Sequence, residues 1–172
     1  NKYTELTIMR AAGIHYGKAE YEAAGDLYKQ LLAKSSNEEH RQLARINIMR
    51  SAHERGRHGE TVKYAGELLA NSATSPEVKR EAHYDRAKAY LAMDKDELAA
   101  KDLKELAMDT RTKEGAEAKY LLAQMNFDNG KYEECESVIM DYISESTPHA
   151  YWLARSFVLL SDLYSEQGKS ME

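Results

Sequence analysis

Phe127-Asp128-Asn129-Gly130-Lys131-Tyr132-Glu133-Glu134-Cys135-Glu136-Ser137-Val138-Ile139-Met140-Asp141-Tyr142-Ile143 is the stretch that decides how this chain folds. Tyr132, Cys135, Val138, Ile139, Tyr142 and Ile143 recur at three- and four-residue spacing, while Glu133, Glu134, Glu136 and Asp141 fall between them. That is the pattern of a helix with one apolar side, which must bury its stripe on a neighbour. Gly130 closes the helical stretch before it, because glycine enters the left-handed conformation that commonly ends a helix without a steric penalty. The stretch therefore reads as a helix end, a tight turn and a second helix.

The same punctuation recurs along the chain. Gly56 in His-Glu-Arg-Gly-Arg and Gly168 in Ser-Glu-Gln-Gly-Lys also close helical stretches before a charged residue. Gly130 follows Gly56 by 74 residues, twice 37, and Gly168 follows Gly130 by 38. Asp94, in Ala-Met-Asp-Lys-Asp, takes the equivalent place between Gly56 and Gly130, and a looser copy lies around Gly17-Lys18-Ala19-Glu20-Tyr21. A fixed period of this length marks stacked supersecondary units. Start signals alternate with these stops. Ser75-Pro76-Glu77 and Thr147-Pro148 place a capping hydroxyl before a proline at the first helical position, Ser36-Asn37-Glu38-Glu39 offers a capping box, and Thr112-Lys113-Glu114 an N-cap with an acid in the first turn. The reading gives about nine helices, near 2–16, 19–34, 37–55, 58–71, 76–92, 95–108, 113–128, 131–146 and 148–167. No strand pattern competes with them.

Composition fits that reading. Hydrophobic residues are 42% of the 172 and charged residues 31%, with two prolines and nine glycines, the balance of a helix-rich globular protein. A formal net charge of −5 gives no clustered basic footprint for nucleic acid or an anionic membrane. No apolar run approaches the roughly 20 residues that cross a bilayer, and the start Asn1-Lys2-Tyr3-Thr4-Glu5 is no signal peptide. The absence of an initiating methionine suggests a processed product or a piece of something longer.

Unit by unit, the sequence resembles the tetratricopeptide repeat (TPR) family. In residues 116–149, Leu122, Ala123, Phe127, Gly130, Tyr132, Cys135, Ile139 and Pro148 fall on that family's Leu, small, aromatic, Gly, Tyr, Ala, large-apolar and Pro positions. Residues 80–113 supply Ala87, Tyr90, Ala99, Leu103 and Leu106, but carry Arg86 where leucine is usual and Asp94 where glycine is. Residues 42–75 keep Ile48, Gly56, Thr61, Leu68 and Leu69, with Met49 at a small position. The implied fold is an all-α superhelix of about four hairpins plus a C-terminal helix. It would form one domain over 1–172, with repeats near 2–36, 37–75, 76–112 and 113–147 and a partial repeat at 148–172 whose second helix is missing. Asp109-Thr110-Arg111-Thr112 and the run Thr147 to Arg155 are similar to long envelope-associated TPR proteins of Gram-negative bacteria, implying a periplasmic or cell-envelope location.

Function follows from the resemblance. Stacked hairpins of this kind line a concave groove with the first helix of each pair, and the groove takes an extended peptide or a partner helix. The groove positions fall on Arg50, His53 and Glu54, then Glu81, Tyr84 and Lys88, then Glu117, Tyr120, Gln124 and Phe127, and on the last helix Arg155, Val158 and Asp162. Tyr84, Tyr120 and Arg155 are favoured as anchors, since tyrosine and arginine combine apolar contact with hydrogen bonding. The two tyrosines have an equally good second reading, as filling between successive hairpins. The Lys/Asn/Arg set with which some relatives grip a C-terminal carboxylate is missing.

The alternatives in chemistry are thin. His53 and His58 lie five apart across a glycine turn, not at the four-residue spacing that sets two imidazoles on one helix face. Cys135 sits in a small-residue slot and reads as a packed thiol. Glu133-Glu134 and Asp94-Lys95-Asp96-Glu97 read as solvated faces, Met49, Met125 and Met140 as core filling, and there is no glycine-rich phosphate loop. The expectation is a non-enzymatic scaffold without cofactor or metal, binding a protein or peptide partner and open to homo-oligomerisation. Its rival is a middle section of a longer solenoid that spaces or oligomerises neighbouring domains.

Overall fold

The computed structural model describes residues 2–168. Among them nine helices follow one another with no strand: α1 (Lys2–Gly17), α2 (Tyr21–Lys34), α3 (Glu38–Glu54), α4 (His58–Ala70), α5 (Pro76–Ala92), α6 (Asp96–Leu106), α7 (Lys113–Asp128), α8 (Tyr132–Ser144) and α9 (Ala150–Glu166). The tail 169–172, where the sequence reading found no room for a second helix, lies outside the described residues.

One backbone device joins each first helix to its successor. Among the described residues, positive φ occurs at Ala19 (59°), Gly56 (63°), Asp94 (56°), Gly130 (69°) and Gly168 (65°), spaced by 37, 38, 36 and 38 residues. At Gly56 the amide of Gly56 donates to the His53 carbonyl (3.0 Å) and that of Arg57 to the Ala52 carbonyl (2.8 Å). This Schellman pair satisfies carbonyls that the helix end would otherwise orphan. It recurs as Ala19→Tyr16 with Glu20→His15, as Asp94→Leu91 with Lys95→Tyr90, and as Gly130→Phe127 with Lys131→Asn126. The loose first copy thus has its left-handed residue at Ala19, not at Gly17, which ends α1 as an ordinary helical residue.

The turn sets the register of the helix that follows. Five residues beyond it stands a small side chain with no exposure: Ala24, Thr61, Ala99 and Cys135. Nine and twelve residues beyond stand Tyr28 and Leu31, Ala65 and Leu68, Leu103 and Leu106, Ile139 and Tyr142, all buried. These offsets lie on one side of a 3.6-residue helix. Large members such as Leu31 and Leu68 contribute roughly 1.5–3 kcal/mol each on burial.

The chain forms two compact units, Asn1–Lys95 and Asp96–Glu172. In the first, α1 packs on α2, α2 on α3, α3 on α4, and α5 on both α4 and α3. Its core runs from Ala12, Tyr28 and Leu31 through Ile48 and Met49 to Leu68 and Ala82. In the second, α6 packs on α7, α7 on α8, and α9 on both α7 and α8. Tyr120, Ala123, Cys135, Ile139, Leu159, Leu160 and Leu163 form its core.

Helix starts match the sequence reading at two points and depart from it at two. Ser75 accepts from the Val78 amide (3.3 Å) with Pro76 in the first turn, and Thr112 accepts from Gly115 (3.0 Å). Before α3 it is Asn37 that caps, accepting from the amides of Glu39 (2.8 Å) and His40 (3.3 Å), so the Ser36 box does not form. Pro148 starts no helix: α9 begins at Ala150 after an uncapped His149. Thr147 instead donates to the Thr110 carbonyl (2.8 Å), tying the α8–α9 loop to the α6–α7 loop. Gly115 serves a close approach that sequence did not reveal. A Cβ there would run into the carbonyl oxygens of Asp109 and Leu106, the latter at 2.6 Å.

Near the start of the chain, Glu5 accepts from Ser35 Oγ (2.8 Å) and pairs with His40 Nδ1 (2.6 Å), fastening α1 to the head of α3. These hydrogen bonds, His40 first, hold the Glu5 carboxyl below its ordinary value. The contribution is therefore complete above the ordinary carboxylate range and is lost as pH falls from there through the lowered value. Acid titration followed by circular dichroism should show the wild-type chain losing stability in this window, and Glu5→Gln should flatten that part of the profile. Gly130→Ala meets no neighbour within 4 Å, so only its backbone is strained. Denaturant titration should find it about 1 kcal/mol less stable, while Ala19→Gly gains up to about 1 kcal/mol.

Candidate functional site

The side chains expected to line a groove fall into two clusters, one in each unit. In the first unit they form a ladder of charges between α3 and α5. Arg50 grips Glu81 with two parallel hydrogen bonds, Nε to Oε1 (2.6 Å) and a terminal amine to Oε2 (2.7 Å). His53 Nδ1 lies 3.7 Å from Asp85 Oδ1, and Lys88 Nζ stands 5.7 Å from the centre of the Tyr84 ring. Burial pushes the His53 imidazole below its ordinary value, with the Lys88 charge helping, so the ring is neutral near pH 7. The Arg50–Glu81 pair is about one-third exposed on each side, which limits its worth to ~1 kcal/mol or less. Its consequence is chemical rather than energetic: the Arg50 charge is already matched.

The second unit differs. Between α7 and α9 lies a cleft of about 290 Å³ lined by Tyr120, Gln124, Arg155, Val158, Leu159 and Asp162. Five of these, Tyr120, Gln124, Arg155, Val158 and Asp162, are residues that the sequence nominated. The Arg155 guanidinium lies 4.8 Å from the centre of the Tyr120 ring and donates to the Tyr120 hydroxyl (3.0 Å) and the Tyr151 hydroxyl (3.3 Å). The Tyr120 hydroxyl donates to Gln124 Oε1 (2.9 Å), whose amide nitrogen donates to Asp128 Oδ1 (2.8 Å). Trp152 backs the Tyr120 ring at 5.6 Å. Arg155 is thereby held in one pose by neutral partners, and among the described residues no carboxylate lies within ion-pair distance of it. A guanidinium so placed keeps donors for an incoming oxygen anion.

The nominated residues are not equally available. Tyr120 is only 6% exposed and belongs to the core, so its ring acts as the floor beneath Arg155. Phe127 turns into its own hairpin and meets the Tyr132 ring at 5.7 Å. Tyr84 and Lys88 are half-buried. Val158 is 63% exposed at the cleft edge. Leu159 and Tyr151, which the carried-over positions omitted, join the site because α9 leans on α7. No spacing in the sequence shows that lean.

Among the described residues no three His, Cys, Asp or Glu side chains converge to hold a metal. Cys135 is buried, and loss of solvent pushes its thiol up to about 11. Thiol reagents should leave the native chain unmodified at mild alkaline pH and label one thiol per chain once denaturant unfolds it. Rapid native labelling would contradict this packing. Loss of stability on acidification should also begin near neutrality, since a ring held neutral in the fold costs stability as pH falls below its ordinary value near 6.5. His53→Gln should remove that early component.

No protein-family model matches the chain, and no curated protein sequence does. Solved structures do. A crystal structure of a Podosopora anserina chain described as a putative kinesin light chain with nearly identical TPR-like repeats is 17% identical, with a TM-score of 0.63 over 94% of this chain and 86% of that one. A variant form of that chain is also 17% identical, with a TM-score of 0.64 over 94% of this chain and 85% of the variant. Likeness at this identity speaks to architecture: nine helices in hairpin order, five left-handed turns and these neighbours show an all-α, TPR-like helical repeat fold.

Proposed function

We propose that this chain is a non-enzymatic scaffold that holds a peptide or helical segment of a partner protein against the exposed faces of its first helices. The single observation that carries this reading is the α7–α9 cleft. It combines an aliphatic wall (Val158, Leu159), an aromatic floor (Tyr120) and a fixed cation without an acidic partner (Arg155) in one concave place. Convergence of apolar surface with a few oriented polar groups is what a binding site needs, and nothing here is built to move protons or electrons. Larger hollows exist: about 630 Å³ beside Ala19 to Asp26 and about 370 Å³ between the Asp109–Arg111 and Glu145–Ser146 turns, both walled mostly by charged or polar side chains, and about 310 Å³ lined by Leu122 and Val138 together with Lys104, Lys119 and Glu145, which has no aromatic floor. The TPR-like fold supports the same class of function, a protein interaction scaffold. We read residues 1–172 as one array of hairpins, and the envelope location rests on the resemblance of residues 109–112 and 147–155 alone.

The partner segment carries an acidic side chain for Arg155 and an apolar one for the Val158 edge. Affinity capture from a lysate of the source cell, with the bound proteins read by mass spectrometry, should retain a partner. Arg155→Ala and Val158→Asp should each reduce that capture at least tenfold without lowering the melting temperature. Tyr120→Ala removes a core ring and should cost ~3 kcal/mol of stability as well. If the chain retains nothing, or the retained protein is indifferent to Arg155→Ala and Val158→Asp, the rival role as a spacer within a longer solenoid takes precedence.

A further inference from the structure

Between α6 and α8, on the opposite side of α7 from the Arg155 cleft, lies the hollow of about 310 Å³ floored by Leu122 and Val138 and edged by Lys104, Ala107 and Met108. Counted from the left-handed turns, its walls have counterparts in the first unit. Lys104 and Ala107 stand ten and thirteen residues beyond Asp94, as Lys29 and Leu32 stand beyond Ala19. Leu122 stands eight residues before Gly130 as Ile48 does before Gly56, and Val138 eight beyond Gly130 as Tyr64 does beyond Gly56. The Lys119–Asp141 bridge likewise repeats Arg45–Glu67 (3.5 Å). The two places are built on one plan, and the hollow arises where the plan loses volume. Ala107 stands in place of Leu32, and Val138 in place of the buried Tyr64 ring.

A polar clasp is lost at the same place. In the first unit Lys29 Nζ reaches Glu60 Oε1 (2.5 Å) and joins α2 to α4. The counterparts are Lys104 and Glu134, and among the described residues neither has an ion-pair partner. Of these two only Lys104 lines the hollow, while Lys119 and Glu145, which also line it, answer each other (2.9 Å). The hollow thus lacks one large side chain and presents one unanswered cation. Met108, 80% exposed at its edge, adds a side chain that adapts to many shapes. On α8 the positions that face a following repeat are Met140 and Ile143, ten and thirteen residues beyond the turn, so Val138 looks back toward α6 whatever comes after α9.

We propose that this hollow is a second docking site, for an acidic segment of a partner protein that inserts one aromatic side chain between Leu122 and Val138 and sets a carboxylate on Lys104. The ring takes the place that the first unit fills with its own Tyr64. It restores the missing volume and brings a large apolar contact, and Lys104 fixes which way the segment lies. The hollow of about 370 Å³ shares Met108 and Glu145 with this one and gives the segment room to continue along the Asp109–Arg111 turn. The site is separate from the Arg155 cleft, so the two are tested apart.

Short fluorescent peptides, with a central tyrosine, tryptophan or alanine flanked either by acidic residues or by lysines, test this by anisotropy with the purified chain. Acidic peptides centred on tyrosine or tryptophan should bind, and the alanine-centred or lysine-flanked ones at least tenfold more weakly. Lys104→Glu should weaken binding at least tenfold at an unchanged melting temperature. Ala107→Leu and Val138→Tyr, which install the first unit's side chains, should abolish binding with the melting temperature equal or higher. Arg155→Ala should leave binding as it is. If Val138→Tyr unfolds the chain, Lys104→Glu and Ala107→Leu decide. Absence of binding by every peptide overturns the proposal, as does binding indifferent to these substitutions. Binding lost in Arg155→Ala instead assigns the peptides to the α7–α9 cleft, which overturns the second site and leaves the first reading standing.

Discussion

Every first helix in this protein must stop on a residue that can turn its backbone left-handed, and the rest of the arrangement depends on that stop. The Schellman pair of hydrogen bonds draws the next amide back toward the helix it has just left, so the following helix starts within two residues. Within the units, α1 lies on α2, α3 on α4 and α7 on α8. Glycine meets the demand at residues 56, 130 and 168, whereas Ala19 and Asp94 meet it at a steric cost of about 1 kcal/mol. At Ala19 the packing of α1 on α2 overrides that local preference.

Because the turn fixes where the second helix begins, it also fixes which of its residues face inward. The slot five residues on admits only a small side chain, and Ala24, Thr61, Ala99 and Cys135 fill it without exposure. A thiol in that slot is chosen for volume. The burial that packs it also pushes its thiol up to about 11, which disfavours the thiolate, the form that reacts.

The polar side chains divide by whether their charge is already answered. Arg50 is matched by Glu81, and Glu5 by His40 and Ser35, so these groups join helix to helix. Arg155 is oriented by tyrosine hydroxyls, which carry no charge to cancel its own, and Asp162 lies further along the same helix. A cation that is rigid yet unmatched contributes little to stability. Its remaining donors are of the kind that meet an oxygen anion arriving from outside.

The sequence by itself determined the number and order of helices, the period and the burial register, because each rests on spacing: 3.6 residues per helical turn and 36 to 38 residues between left-handed stops. Through the family resemblance it also nominated Gln124, Arg155, Val158 and Asp162, which line one cleft. It located the first stop only as a loose copy around Gly17 to Tyr21, within which the structure picks Ala19, and it took Pro148 for a helix start, although Thr147 is drawn away to the Thr110 carbonyl. Only the tertiary structure decided that Tyr120 is floor and Arg155 its visible partner, that Phe127 turns inward, and that Gly115 makes room for two carbonyls. Those outcomes depend on the angle and distance at which one helix meets the next. That is set by the sum of many side-chain contacts, and no single stretch of chain contains it.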